Sequence, residues 1–112
     1  MGNNEKIICA AIHFDDGKEY FHQPKNTPTG ITICGMRHHN CFATIALIVE
    51  AYGGTIEKGK KRAFPGFKET QGFLTSENRF VDRKEALSIA LLENQVLDKT
   101  KLGDMLHSED LY

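Results

Sequence analysis

Apolar and polar positions along the chain change period several times, and the changes mark out the elements. Residues 6–14 hold an apolar run (Ile7-Ile8-Cys9-Ala10-Ala11-Ile12) that reads as a buried strand. Asp15-Asp16-Gly17 is a turn signal, and residues 18–21 after it read as the returning strand of a hairpin. Pro24, Pro28 and Gly30 make the next stretch a loop, and residues 31–35 a short third strand. From Asn40 to Tyr52 the period becomes helical: Phe42, Ile45, Ala46, Ile48 and Val49 recur near 3.6, and Gly53-Gly54 supplies the stop. Only Thr44 and Glu50 are clearly polar inside this helix, which predicts burial on most sides, against its own sheet and in an oligomer interface. Residues 57–68, with Lys58, Lys60, Lys61 and Arg62, read as a polar loop. Two short strands, 71–75 and 78–81, then flank the turn Ser76-Glu77-Asn78. A second helix follows over 83–93, with Leu87, Ala90 and Leu91 on one face and Asn94 as a left-handed residue after its end. The predicted class is α+β: a short antiparallel β-sheet packed with two α-helices in a single domain, 1–112.

Composition narrows the function classes. A chain of 112 residues can bury a core without a metal or disulfide staple. A formal net charge of −1 disfavours binding of a DNA or RNA polymer or a membrane surface, so any phosphate recognition should be local. The three cysteines, Cys9, Cys34 and Cys41, are an odd number and read as reduced thiols. The polar start Met1-Gly2-Asn3-Asn4-Glu5 is unlike a signal peptide, and no run approaches the ~20 apolar residues of a membrane span. The expected location is the cytoplasm.

The candidate chemistry gathers at two helix starts. In Arg79-Phe80-Val81-Asp82-Arg83-Lys84-Glu85, Asp82 and Glu85 have capping-box spacing, Arg79 ends the strand and Arg83 opens the helix. A helix start offers unpaired N–H groups and the positive end of a dipole, so two guanidiniums beside it suit a phosphate or pyrophosphate. In Gly35-Met36-Arg37-His38-His39-Asn40-Cys41, Asn40 is the expected N-cap, with Arg37 and two histidines upstream. The competing reading pairs the arginines with Asp82, Glu85 or Glu77 on a solvated surface. A zinc site is disfavoured, because Cys34-x3-His38-His39-x-Cys41 lacks two separated ligand pairs. A nucleophilic enzyme would use Cys41, at a helix start, or Cys34 with a nearby histidine, although for Cys41 a packed small residue is the simpler reading. Walker, HExxH and GxSxG motifs are absent. The aromatics read mainly as core, with Tyr52 the freest to stack on a base. The tail Ser108-Glu109-Asp110-Leu111-Tyr112 reads as a docked end, with Glu109 or Asp110 available to Arg37, Arg79 or Arg83.

Four segments together resemble one family of phage proteins: Ala10-Ala11-Ile12, Gly35 through Cys41, Gln71 through Ala86, and the tail from Ser108. The chain looks like the first-described type of Thoeris anti-defence protein, a phage-encoded sponge. The resemblance implies binding, without degradation, of the cyclic ADP-ribose isomer that signals infection in bacterial Thoeris defence. It also implies oligomers up to hexamers, a ligand held between two subunits, no cofactor, and action in the cytoplasm of the infected host. Some members also bind cyclic oligonucleotides at separate sites. The family's pyrophosphate-holding arginines, four apart, fall on Arg79 and Arg83. Tyr52 and Phe73 are the candidates for base stacking, Asn78 adjoins the arginine junction, and Arg37 with His38 would serve a second nucleotide class. Two other classes compete. One is a small hydrolase or phosphodiesterase using His38, His39 or Cys41; the other is a module that blocks a host protein through its acidic tail.

Overall fold

Strand β1 (Ile7–Asp15) is central because both of its edges are paired. The computed structural model describes residues 4–20, 24–51 and 68–112. On one side β1 meets β2 (Ile31–Gly35), with Ile12 opposite Ile33; on the other it meets β3 (Lys68–Thr75), with Ala10 opposite Phe73. Strand β4 (Phe80–Asp82) closes a four-stranded, fully antiparallel sheet in the order β2-β1-β3-β4. The helices are α1 (His38–Ala51) and α2 (Arg83–Leu92), so the fold is α+β as the periodicity predicts.

Strand alternation fixes where the core lies. Ala10, Ile12 and Phe14 point to one face of β1 and are buried there. Ala10 packs with Phe73, Val81, Ala86, Ile89, Ala90, Leu106 and Leu111 under α2, while Ile12 and Phe14 pack with Ile33, Cys41 and Ile45 under α1. Both helices therefore cover the same face, side by side. Among the described side chains of α1, Cys41 and Ile45 are buried, Phe42 and Ile48 pack partly against the same cluster, and Leu47 remains 68% exposed. Over these residues, burial on most sides, expected from the composition, is not reached within a single chain.

The expected strand at 18–21 does not form: 18–20 are exposed loop, and Phe21 lies outside the described residues. Side-chain oxygens take the backbone groups that a ladder would need. Asp15 Oδ1 accepts from the Gly17 N–H and the Thr29 hydroxyl, and Asp16 Oδ1 accepts from the Lys18 N–H. Both edges of β1 are in any case already occupied. Lys68, expected in a loop, begins β3 opposite Asp15. The remainder of the 57–68 loop, with Lys58, Lys60, Lys61 and Arg62, and the Gly53-Gly54 stop lie outside the described residues.

Two side-chain amides stand in for missing strand partners. Asn26 accepts from the Phe80 N–H (2.8 Å) and donates to the Phe80 carbonyl (2.6 Å), finishing the outer edge of β4. Gln95 does the same for Ile7, at 2.8 Å in each direction, beside an irregularity in the β1–β3 register. Gln95 is placed by the end of α2, where Asn94 adopts φ 55° and the N–H groups of Asn94 and Gln95 return to Leu91 and Ala90.

Candidate anion site where two helix starts meet

Each helix start is organised by its own cap. Asp82 Oδ1 accepts from the Glu85 N–H at 2.8 Å, the forward half of a capping box. The return half is not made, because the Glu85 carboxylate turns to Arg79 Nη2 at 3.0 Å. Helix α1 begins two residues before the expected Asn40. Asn40 acts from inside the first turn instead, its Oδ1 accepting the Arg37 N–H at 3.0 Å. That earlier start makes His38 a helical residue and aims its ring at the sheet.

His38 joins the two starts. Its Nε2 donates to the Gly72 carbonyl on β3 at 2.8 Å, and its ring stands edge-on to Phe73 with centroids 5.2 Å apart. A carbonyl only accepts, so the proton sits on Nε2 and Nδ1 is left as an acceptor. Arg83 Nη2 donates to that Nδ1 at 3.3 Å. Burial holds the imidazole below its ordinary pKa and the Arg83 charge pushes the same way, against the opposing effect of the Gly72 carbonyl. A neutral His38 thus links the start of α1 to the start of α2 across β3.

The arginines at these junctions have different surroundings. Arg79 is neutralised: Nε and Nη2 grip the two oxygens of Glu5 at 2.8 Å each, and Nη2 also reaches Glu85. Hydrogen bonding from Arg79 lowers the Glu5 carboxyl to about 2. The surface ion-pair alternative therefore describes Arg79, with Glu5 as a partner that the sequence did not suggest. Arg83 makes its hydrogen bonds to uncharged groups: Gln71 Oε1 (2.7 Å), the Leu106 carbonyl (2.9 Å) and His38. Glu109 acts on it only at longer range, and burial disfavours its charged form. Arg37 is similar. Its Nη2 donates to the Tyr112 main-chain oxygen, its guanidinium lies 5.1 Å from the Tyr112 ring centroid, and its Nη1 is buried without a partner among the described residues. The Tyr112 hydroxyl in turn donates to the Met36 carbonyl at 2.7 Å.

Beside Arg83 lies a cavity of about 300 Å³ lined by Gln71, Asp82, Arg83, Lys84 and Met105. This volume is at the lower end for small-molecule sites. Its lining sets two cations, Arg83 and Lys84, against one carboxylate, Asp82, which is engaged in capping α2, with an amide and a thioether completing the wall; the balance of charge favours a small anion carrying an organic group.

Other predicted residues lie elsewhere. Phe73 is 0% exposed and belongs to the core. Asn78 is a turn residue at φ 58°, its carbonyl accepting from the Lys25 N–H. Tyr52 lies outside the described residues. His39 is exposed at the α1 start, and Cys41 is buried, which pushes its thiol up to about 11. The tail docks on its own chain, with Leu111 in the core and Asp110 Oδ2 accepting the His107 N–H rather than meeting an arginine. Among the described residues no three or more His, Cys, Asp or Glu side chains stand close enough to hold a metal ion, and no helix is long and apolar enough to cross a membrane. Sequence reasoning missed Gln71, Glu5 and Met105, which no local motif singles out.

The family model described as phage T4 y16D protein matches residues 6–112. Neither a curated protein nor a solved structure matches the chain.

Proposed function

The chain belongs to the phage T4 y16D protein family, and from that premise we propose that it is a phage anti-defence sponge, which binds a cyclic ADP-ribose isomer and withholds it from bacterial Thoeris defence without degrading it. The observation that carries this reading is the junction of two helix starts, where the Arg83 guanidinium hydrogen-bonds only to uncharged groups among the described residues and Arg37 stands at the neighbouring start. A pyrophosphate is the complementary anion. Arg83 is its principal contact, from the wall of the cavity, with Lys84 beside it. Arg79, the other arginine implied by the resemblance, would reach the ligand by giving up Glu85, whose side chain is half exposed, while Glu5 holds its other edge.

Sequestration rather than turnover is supported by two of the candidate catalytic groups: Cys41 is buried and His38 is committed on both ring nitrogens, while His39 and Cys34 remain exposed. Assembly of subunits around the ligand is supported by the uncovered apolar side chains Met36 and Leu47 on and before α1. A stoichiometric trap needs tight binding, and a nanomolar constant corresponds to about −12 kcal/mol. Two charge-assisted guanidinium contacts, base stacking and burial between subunits can together reach that order.

The test is calorimetric titration of the purified protein with cyclic ADP-ribose isomers, then heating and mass analysis of what is released. Tight binding with intact ligand recovered is expected. Degraded ligand would establish a hydrolase instead, and absence of binding would overturn the reading.

A further inference from the structure

The three cysteines fall into two environments. Cys41 lies under α1, fully buried, with its Sγ near the Ala10 and Arg37 carbonyls. Cys9 and Cys34 lie on the opposite face of the sheet. Cys34 pairs with Ala11 across β1–β2, and Cys9 is two residues before Ala11, so the two are diagonal neighbours on one face. Cys34 is exposed and Cys9 half-buried, and the two thiols are near enough to influence each other's ionisation.

That contact divides the two sulfurs into unlike roles. With Cys9 donating, the Cys34 thiolate is stabilised and its pKa falls to about 7, while the Cys9 thiol is pushed up by the same contact and by burial. An exposed, thiolate-leaning sulfur beside a second, protonated one is the arrangement of a peroxide-reactive cysteine and its resolving partner. The backbone permits closure at that point. Diagonal neighbours start about 7–8 Å apart at Cα, slightly beyond a disulfide's usual span. The β1–β2 register ends at Ala10, however, and the β1–β3 register shifts between Ile7 and Cys9. Cys9 therefore lies just beyond the β1–β2 ladder, paired on its other edge with Leu74 and next to the irregularity.

We propose that Cys34 is a modification site for hydroperoxides and that Cys9 resolves it, giving one reversible disulfide across β1–β2. The Cys34 thiolate attacks one oxygen of hydrogen peroxide; the O–O bond breaks, the leaving hydroxide takes a proton to become water, and Cys34 becomes a sulfenic acid. Cys9, losing its proton, attacks that sulfur and expels the hydroxyl as a second water. Two thiols are oxidised to one disulfide and one peroxide is reduced to two waters. The new bond pins β2 three residues ahead of Arg37, at the entrance to α1.

The test treats the full chain with equimolar hydrogen peroxide at pH 7. The expected product is about 2 Da lighter, yields a linked Cys9–Cys34 peptide on digestion without reductant, and reverts with dithiothreitol. Cys9→Ser should stop at a sulfenic acid on Cys34 that dimedone traps, and Cys34→Ser should leave Cys9 reduced. In the unmodified protein Cys34 should react with iodoacetamide about tenfold faster than Cys9 or Cys41. Intermolecular Cys34–Cys34 dimers, first oxidation at Cys41, or equal alkylation rates for the three thiols would overturn the proposal.

Discussion

Glu5→Gln tests the Arg79 clamp without touching the cavity. In the native protein Arg79 Nε and Nη2 each donate to a Glu5 oxygen at 2.8 Å, and the Thr75 hydroxyl donates to the same carboxylate at 2.6 Å. Hydrogen bonding from Arg79 moves the Glu5 carboxyl from 4.5 to about 2. At 1.36 kcal/mol per pH unit that displacement corresponds to roughly 3 kcal/mol if none of it were screened. The side chains are 19% and 29% exposed, and solvent reduces the value to about 1–2 kcal/mol. The folded-state pKa is depressed, so this stability is complete above pH 4.5 and is lost as pH falls toward 2. Urea unfolding followed by circular dichroism from pH 7 down to 2 reads the difference. With a slope of about 1–3 kcal/mol per molar, Glu5→Gln should lower the midpoint by about 0.5–1 M at pH 7. The gap between variant and parent should narrow below pH 4.5 and close near pH 2. A gap that stays constant across this range, or none at pH 7, would refute the electrostatic account.

Arg83→Ala should weaken binding of a cyclic ADP-ribose isomer by about tenfold to hundredfold in calorimetry, since a charged hydrogen-bonding group contributes about 1.5–3 kcal/mol; unchanged affinity in a folded variant would remove Arg83 from the site. Gly72→Ala should cost at least about 3 kcal/mol or prevent folding, because its Cβ would overlap the Val81 carbonyl oxygen on the neighbouring strand. A thermal melt within a few degrees of the parent would contradict that close approach. His38 should titrate below its usual value in ¹⁵N NMR and carry its neutral proton on Nε2, and an ordinary titration would mean that the ring does not bridge Gly72 and Arg83. Asn94→Ala should lower stability by about 1 kcal/mol, because a side chain with a Cβ and no local amide is strained at φ 55°.

Local signals carried most of the fold. The Asp82 cap, the left-handed Asn94 and the apolar run of β1 each depend on residues within a turn or a strand, and each occurs where the pattern placed it. The Asp-Gly turn signal misled because a hairpin also needs a free strand edge, and both edges of β1 go to segments distant in sequence. The start of α1 was misplaced because Asn40 caps from inside the helix as readily as from its first position. The candidate site was legible only in halves. Arg83 and His38 were visible at their separate helix starts, but their contact spans 45 residues and depends on the strand order. The same limit hid Glu5, whose partner Arg79 is 74 residues away.

The docking of the tail has a kinetic consequence. Ile7 and Leu111 share one core cluster, and Gln95 completes the backbone pairing of Ile7. During synthesis β1 is made early, yet the residues that cover its Ile7 end arrive about 100 positions later, which takes about 5–20 s at ribosomal speeds. For that interval the apolar Ile7 end of β1 lacks its cover even after β2 and β3 have been made. Closing such distant contacts also places the chain toward the slow end for its size. Its yield in an infected cell should therefore depend as much on chaperone supply as on the stability of the finished fold.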